Sequence, residues 1–247
     1  MPLRELRAYL FPGAAERDPG FRDQIQKLSI LGLKITAGVT IGATLVATLT
    51  RFLLMGGAET GAVERIASMA WLVALGFLAF GAARTAAGQR YARGLALALA
   101  VLVSLVLNYF TIRFSPFMPA AESYIPSQLA LILLVGVAAV PVRPMQALGL
   151  GFGLGFIYLA QANLMQRYLG LGSGPIPDHL LFIFTISLMA AAVCAVLYRQ
   201  RYLNYQSYVR SLEAVEQLRR AETRVLLSEH AASLGRIAAA LSHELNS

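Results

Sequence analysis

The feature that most constrains this sequence is a series of apolar runs, each about as long as a membrane is thick. A hydrocarbon core of about 30 Å is crossed by a helix of about 20 apolar residues. Six segments meet this requirement, and the middle four contain no charged residue. The sequence therefore predicts an all-α, polytopic membrane protein with six transmembrane helices, at residues 29–50, 66–83, 94–112, 125–142, 145–165 and 179–198.

Charged residues are concentrated at the two ends of the chain. Nine of them lie in residues 1–29 and twelve in residues 199–247, and the net charge is +8. Arginines near membrane spans set topology and contact anionic lipid headgroups. Because no aromatic-plus-basic stretch resembles a nucleic-acid module, we expect membrane lipids rather than nucleic acid as partners.

The distribution of arginine between the loops predicts the orientation. The loop 84–93 carries three arginines, and the turn after the fourth predicted span carries Arg143. The other three loops together hold only four arginines, and each is 15 residues or shorter: 51–65, 113–124 and 166–178. Because cytoplasmic loops are enriched in basic residues, we expect both termini in the cytoplasm. Loops this short leave no room for a folded extracytoplasmic domain.

Several polar residues fall in the outer halves of the predicted spans. One hypothesis is that they line a pocket for a small polar-headed or lipophilic ligand such as a quinone. The simpler alternative is that they contact headgroups and water at the membrane interface. The residues concerned are Asn108, Gln128, Gln161 and Asn163. Cys194, the single cysteine, is interpreted as an inert buried thiol.

The fifth predicted span contains two pairs of glycines spaced four residues apart. Gly149 and Gly153 share one face of the helix, and Gly151 and Gly155 share nearly the opposite face. Such pairs let membrane helices approach closely, which predicts a contact within the bundle or between protomers. The alternative is that glycine is simply common in membrane helices.

The chain after Tyr198 turns polar and contains no proline or glycine before Gly235. This pattern predicts one long helix that leaves the membrane. An apolar stripe within an arc of about 140° runs along it, formed by Leu212, Val215, Leu218, Val225 and Leu226. We interpret the stripe as a signalling coiled coil between two protomers. A helix packed on another domain is the alternative.

The last seventeen residues, AASLGRIAAALSHELNS from Ala231, bring chemistry to this helix. On a helical wheel, His243 points directly away from an apolar stripe formed by Leu234, Ile237, Ala238, Leu241 and Leu245. A neutral imidazole nitrogen is a competent nucleophile near neutral pH. The adjacent Glu244 is placed to accept the imidazole proton or to orient the ring.

The string LSHELNS closely resembles the H-box of the dimerisation and histidine-phosphotransfer domain of bacterial sensor histidine kinases. The resemblance implies that His243 is the phosphoacceptor and Glu244 the assisting acid/base in a homodimeric protein histidine kinase. It also implies a separate catalytic domain that binds ATP and Mg²⁺, and a cognate response regulator whose aspartate receives the phosphoryl group. The membrane that the resemblance implies is the inner membrane of a bacterium. A proline, a second hairpin helix and the catalytic domain would follow Ser247. His179 and His230 gain no such support, and we interpret both as structural.

The predicted organisation has four parts. A cytoplasmic N-terminal segment, 1–28, precedes a six-helix sensor, 29–198; a signalling helix, 199–230, leads to the first helix of the phosphotransfer domain, 231–247. Two other functions stay open: a membrane anchor for another dimeric signalling enzyme, such as a nucleotide cyclase, and a small transporter subunit. Against a transporter, the predicted spans contain no acidic residue.

Overall fold

The computed structural model describes residues 12–55, 62–114, 125–169 and 176–245. These residues are almost entirely helical, and the described part of the chain contains no β-strand. A 3₁₀ turn, Pro12–Arg17, precedes seven α-helices. They are α1 (Pro19–Met55), α2 (Ala62–Ala82), α3 (Ala86–Arg90), α4 (Ala92–Phe114), α5 (Ile125–Ala139), α6 (Pro144–Leu169) and α7 (Ile176–Leu245).

Four of these helices, α1, α4, α6 and α7, are long and apolar enough to cross a membrane. The apolar parts described for α2 and α5 are shorter, at 10–17 residues each. Each of the six predicted spans overlaps a different one of these helices. The all-α class is thereby confirmed, and four helices have the length and apolar composition of membrane spans, whereas the count of six spans stays a prediction.

Prolines set the turn between α5 and α6. The predicted fourth span extends to residue 142, but α5 ends at Ala139. A proline disfavours the α conformation of the residue before it, and Pro141 and Pro144 act in this way on the turn between the two helices. Pro144 then occupies the first position of α6, where its missing N–H is not needed. Gln146 stabilises this helix start, because its Oε1 accepts a hydrogen bond from the backbone N–H of Arg143 at 3.1 Å.

The first long helix begins earlier than the predicted span at residue 29. Helix α1 begins at Pro19, and the carboxylate of Asp18 caps it by accepting the backbone N–H of Gly20 at 2.9 Å. An aspartate cap followed by proline is a favoured helix start. The polar residues between the cap and the predicted span therefore belong to the same helix as the apolar residues that follow.

Helix α4 lies at the centre of the bundle, because it contributes to all three clusters of buried side chains. Ala92 and Ala96 pack with α1, α2, α5, α6 and α7 in one cluster. Leu99 and Val103 pack with α1 and α2, and Ile112 packs with α5, α6 and α7. Helix α4 therefore connects the three clusters of buried side chains.

Large apolar side chains cover the outside of the bundle. Five examples from three helices are each more than 60% exposed: Trp71, Phe77, Leu78, Phe156 and Leu181. A soluble monomer rarely exposes so much apolar surface. Lipid tails, by contrast, solvate such side chains well, so this surface fits a membrane environment.

Gly32 and Gly151 are among the described positions at which close helix packing depends on glycine. A Cβ atom at Gly32 of α1 would lie 3.0 Å from the carbonyl carbon of Ala139, at the end of α5. A Cβ atom at Gly151 of α6 would lie 2.5 Å from the Cβ atom of Ser187 on α7. Of the two predicted glycine faces on α6, the one with Gly151 is thus a helix contact within the chain, whereas Gly153 has no neighbour within 4 Å in the described structure.

The chain divides into two compact units, Met1–Arg199 and Gln200–Ser247. The first unit holds the 3₁₀ turn, helices α1 to α6 and the apolar first part of α7. The second unit holds the remainder of α7. The sequence predicts the boundary between the sensor and the signalling helix after residue 198, one residue before the end of the first unit.

Candidate functional site

The predicted phosphoacceptor, His243, lies near the C-terminal end of α7. The backbone of α7 is helical through Leu245, so positions 243 and 244 share one helix with the apolar segment that begins at Ile176. The side chains of His243 and Glu244 lie outside the described residues. The direction in which these two side chains point from the helix therefore stays a prediction from the helical periodicity of the sequence.

The described side chains of the apolar stripes predicted on the second unit are uncovered in the single chain. Leu234 and Ile237, from the stripe predicted beside His243, are 67% and 55% exposed. The predicted coiled-coil stripe is also more than half exposed at every position: Leu212, Val215, Leu218, Val225 and Leu226. Both stripes are therefore free to pack against another helix.

Two of the predicted ligand-contact residues have buried polar atoms inside the bundle. Asn108 on α4 is completely buried, and neither its amide nitrogen nor its oxygen has a hydrogen-bond partner in the described structure. Gln161 on α6 donates through Nε2 to the backbone oxygen of Leu105, one turn before Asn108, at 3.1 Å. Its Oε1 is buried and likewise lacks a partner among the described residues. Leaving a buried polar group unpaired costs about 1–3 kcal/mol, so these atoms need a ligand, a water molecule or a different packing.

The other two predicted ligand contacts do not take part in this arrangement. Asn163 is exposed, and its Nδ2 donates to the backbone oxygen of Leu159 in its own helix at 2.8 Å. Gln128 is half-buried, and its Oε1 accepts a hydrogen bond of 3.4 Å from the hydroxyl of Thr111. The contact with Thr111 joins α5 to α4.

His179 and Cys194 are buried, in agreement with the structural roles expected for them. The ring Nδ1 of His179 lies 2.7 Å from the hydroxyl oxygen of Tyr158, which connects α7 to α6. Cys194 is 2% exposed and belongs to a cluster of buried alanine, leucine and valine side chains. His230, in the second unit, is exposed.

A charged cluster that the sequence did not suggest is centred on Glu16, in the 3₁₀ turn. The Glu16 carboxylate is 12% exposed and forms ion pairs with Arg93, at 3.1 Å, and with Arg143. Nε of Arg143 also donates to Oε1 of Glu16 at 3.2 Å, and the hydroxyl of Tyr198 donates to the same oxygen. One carboxylate therefore joins the start of α4, the turn before α6 and the end of the first unit on α7. We call these four residues the Glu16 cluster.

The environment of Glu16 lowers its pKa to about 2. Burial of the carboxylate by itself favours the neutral form, but the hydrogen bonds from Arg143 and Tyr198 and the charge of Arg93 outweigh it. Such donors stabilise the charged form of a carboxylate. The cluster therefore stays ionised throughout the physiological pH range.

This pKa predicts how the cluster contributes to stability as the pH changes. A carboxyl group with a lowered pKa stabilises the fold above its ordinary pKa of 4.5, and that contribution is lost as the pH falls towards 2. We expect the difference in thermal midpoint between the native chain and Glu16→Gln to be constant from pH 7 to about pH 5 and to shrink below about pH 4.5. Thermal unfolding in detergent micelles measures it. A difference that already disappears between pH 7 and pH 5 would contradict this assignment.

Comparisons with known proteins add no relative. No family model matches the chain, and no curated protein or solved structure is significantly similar to it. Among the described residues, no group of three or more His, Cys, Asp or Glu side chains lies close enough together to hold a metal ion.

Proposed function

We propose that this chain is the membrane-embedded sensor and phosphoacceptor part of a bacterial two-component sensor histidine kinase. The observation that carries the proposal is the string LSHELNS at the end of one continuous helix, Ile176–Leu245, whose first part packs in the apolar bundle. A helix of this kind connects the segment that packs in the bundle to the proposed phosphorylation site through one continuous helical backbone.

In this proposal all six apolar helices span the inner membrane, and both termini lie in the cytoplasm. The apolar exterior of the bundle supports a lipid environment. The arginines of the segment 84–93 and Arg143 support the orientation, because basic residues are enriched on the cytoplasmic side. The Glu16 cluster, which contains Arg93 and Arg143, then lies at the cytoplasmic end of the bundle.

The proposed kinase is a homodimer. The exposed apolar stripe from Leu212 to Leu226 and the exposed Leu234 and Ile237 support this, because burying such side chains against a second copy removes them from water. A coiled coil followed by a helical phosphotransfer domain uses both stripes along the same helix.

The proposed chemistry follows from the residue types. A ring nitrogen of His243 attacks the γ-phosphorus of ATP, the bond to the bridging oxygen breaks, and ADP leaves. Glu244 accepts the proton that the phosphorylated ring releases. ATP and Mg²⁺ are held by a separate catalytic domain, and the phosphoryl group then passes to an aspartate of the response regulator. This chain supplies the acceptor and positions it, and positioning is, with charge stabilisation, one of the two main contributions to catalysis of phosphoryl transfer.

The stimulus, in this proposal, acts on the buried polar pair Asn108 and Gln161. The amide of Asn108 can donate and accept, and Gln161 Oε1 can accept, so a small lipophilic molecule with a polar head would satisfy them. Such a molecule shifts the equilibrium between two helix packings only if it binds one of them more tightly. Because α6 packs directly on α7 at Gly151, a change in the packing of α6 reaches the output helix.

Replacing Asn108 with leucine tests this site. We expect Asn108→Leu to stabilise the ligand-free chain by about 1–3 kcal/mol, because the substitution removes two buried, unpaired polar atoms. The same change should abolish the response of the kinase to its stimulus.

The matched control is Asn163→Leu. Asn163 is an exposed asparagine two residues after Gln161, and its replacement should leave both the stability and the stimulus response nearly unchanged. Unfolding in detergent and phosphorylation in liposomes measure the two effects, and a clear loss of stability in Asn108→Leu would contradict the site.

The sequence that follows Ser247 tests the proposed function most directly. The proposal predicts a proline, a second helix, an asparagine-containing ATP-binding motif and glycine-rich nucleotide motifs. The protein that includes them should become phosphorylated by ATP in liposomes, and the phosphate should be labile to acid, as phosphohistidine is. A cyclase domain after Ser247, or a transport activity without phosphorylation, would overturn it.

A further inference from the structure

The N-terminal segment makes two contacts with one residue of α7, Tyr198. The carboxylate of Glu16 accepts the hydroxyl hydrogen of Tyr198, and the ring of Phe21 packs edge-on against the Tyr198 ring, with centroids 5.9 Å apart. Phe21 and Tyr198 are 0% and 1% exposed. Tyr198 immediately precedes Arg199, the last residue of the first unit. The contact is therefore made where the bundle part of α7 ends.

We propose that residues 12–22 form a clamp that holds Tyr198 at the end of the bundle and so restrains the output helix in one signalling state. This inference rests on the proposed function, because it assigns the clamp a role in controlling phosphorylation of His243. The sequence alone predicts that residues 1–28 are a cytoplasmic segment, and it indicates no role for them in controlling α7.

The clamp is built to be either closed or open. Glu16, Arg93 and Arg143 are partly removed from water, and separating them would leave like-charged arginines near each other without their carboxylate. Partly buried charges of this kind are costly to leave unpaired. Intermediate positions are therefore disfavoured, which is the property that a two-state signalling element requires.

Glu16 also connects the clamp to three separate elements of the bundle. The partners of Glu16 are 77, 127 and 182 residues away in sequence and lie on α4, the turn before α6, and α7. A stimulus that moves α6 or α7 relative to α4 must either break bonds to Glu16 or carry the N-terminal segment with it. Either event changes the support of Tyr198.

Two substitutions open the clamp to different extents, and a third provides a matched control. Glu16→Gln removes the charge that binds both arginines. Tyr198→Phe removes one hydroxyl and keeps the ring contact with Phe21. Asp23→Asn removes a nearby carboxylate that is 63% exposed and pairs with Lys27 on the same helix. All three should be made in the protein that continues beyond Ser247, in nanodiscs that contain phosphatidylglycerol and phosphatidylcholine.

The first measurement is the rate of trypsin cleavage after Arg17. Arg17 is exposed and lies in the sequence between Glu16 and Phe21, the two residues that contact Tyr198. Cleavage that requires local opening reports the population of the open form. We expect the rate to rise about tenfold or more in Glu16→Gln, because hydrogen bonds to charged groups are lost. The rise should be smaller in Tyr198→Phe and absent in Asp23→Asn. Equal cleavage rates in all four proteins would overturn the clamp itself.

The second measurement is the initial rate of phosphorylation of His243 by ATP. We expect Glu16→Gln to change it by about fivefold or more, a coupling typical of regulatory sites. Tyr198→Phe should change it in the same direction and Asp23→Asn should not. Faster cleavage with unchanged phosphorylation would overturn the regulatory role and leave the proposed function intact. Absence of phosphorylation in the native protein would instead overturn the proposed function, and with it the control assigned to the clamp.

Discussion

His243→Gln is expected to abolish ATP-dependent, acid-labile phosphorylation of the protein that continues beyond Ser247. Glutamine is close to histidine in size and polarity and is a good helix former, so α7 should keep its structure. Its amide nitrogen is not a nucleophile, however, and the phosphoryl group then has no acceptor. The loss should therefore be complete rather than partial.

The matched control for this experiment is His230→Gln. His230 lies on the same helix and is exposed, but it is outside the LSHELNS string. Its replacement should leave phosphorylation within a factor of about two, as for an ordinary surface substitution. Normal phosphorylation and signalling after His243→Gln, or a C-terminus that faces the periplasm, would refute the kinase assignment. Circular dichroism of both variants should show that the helical content is unchanged.

Gly151→Ala is expected to destabilise the bundle, although alanine is normally the better helix residue. The added Cβ atom would lie 2.5 Å from the Cβ atom and 3.2 Å from the Cα atom of Ser187, so α6 and α7 must separate. Overpacking of this kind costs about 1–3 kcal/mol, and sometimes more. The cost should exceed the gain of about 1 kcal/mol in helix propensity. Thermal unfolding in detergent micelles measures the net effect.

Two further variants make this test specific. Gly153→Ala, on the same helix, introduces a Cβ atom with nothing within 4 Å in the described structure, and it should stabilise the chain slightly. Ser187→Gly combined with Gly151→Ala removes the Cβ and Oγ atoms, which the new Cβ meets most closely, and should restore much of the lost stability. If both single alanine variants behave alike, α6 and α7 do not pack at Gly151.

The helices could be predicted from the sequence because the bilayer imposes their length and composition. Runs of about 20 apolar residues identify the spans without knowledge of their neighbours. The ends were predicted less well where local chemistry decides them. Pro141 ends α5 before the apolar pattern ends, and Asp18 starts α1 while the sequence is still polar.

The interior contacts could be predicted only in part, because nearly uniform apolar spans do not reveal which face is buried. Asn108 and Asn163 have similar sequence surroundings, yet one is fully buried and the other is exposed. The Glu16 cluster could not be predicted at all. Its pairs are separated by 77 residues or more, and no local periodicity marks Glu16 as different from the other acidic residues near the N-terminus.

The packing around Cys194 has a consequence for the side chains that this position accepts. Ala190 and Cys194 are the buried side chains that α7 contributes to its cluster, and both are small. The other buried members include leucine and valine side chains of α1 and α5 as well as four alanines: Ala83, Ala92, Ala96 and Ala147. Protein interiors are close-packed, so even one added methylene at such a position is felt. Position 194 therefore accepts alanine but not a bulkier side chain, because a bulkier one would push α7 away from its neighbours.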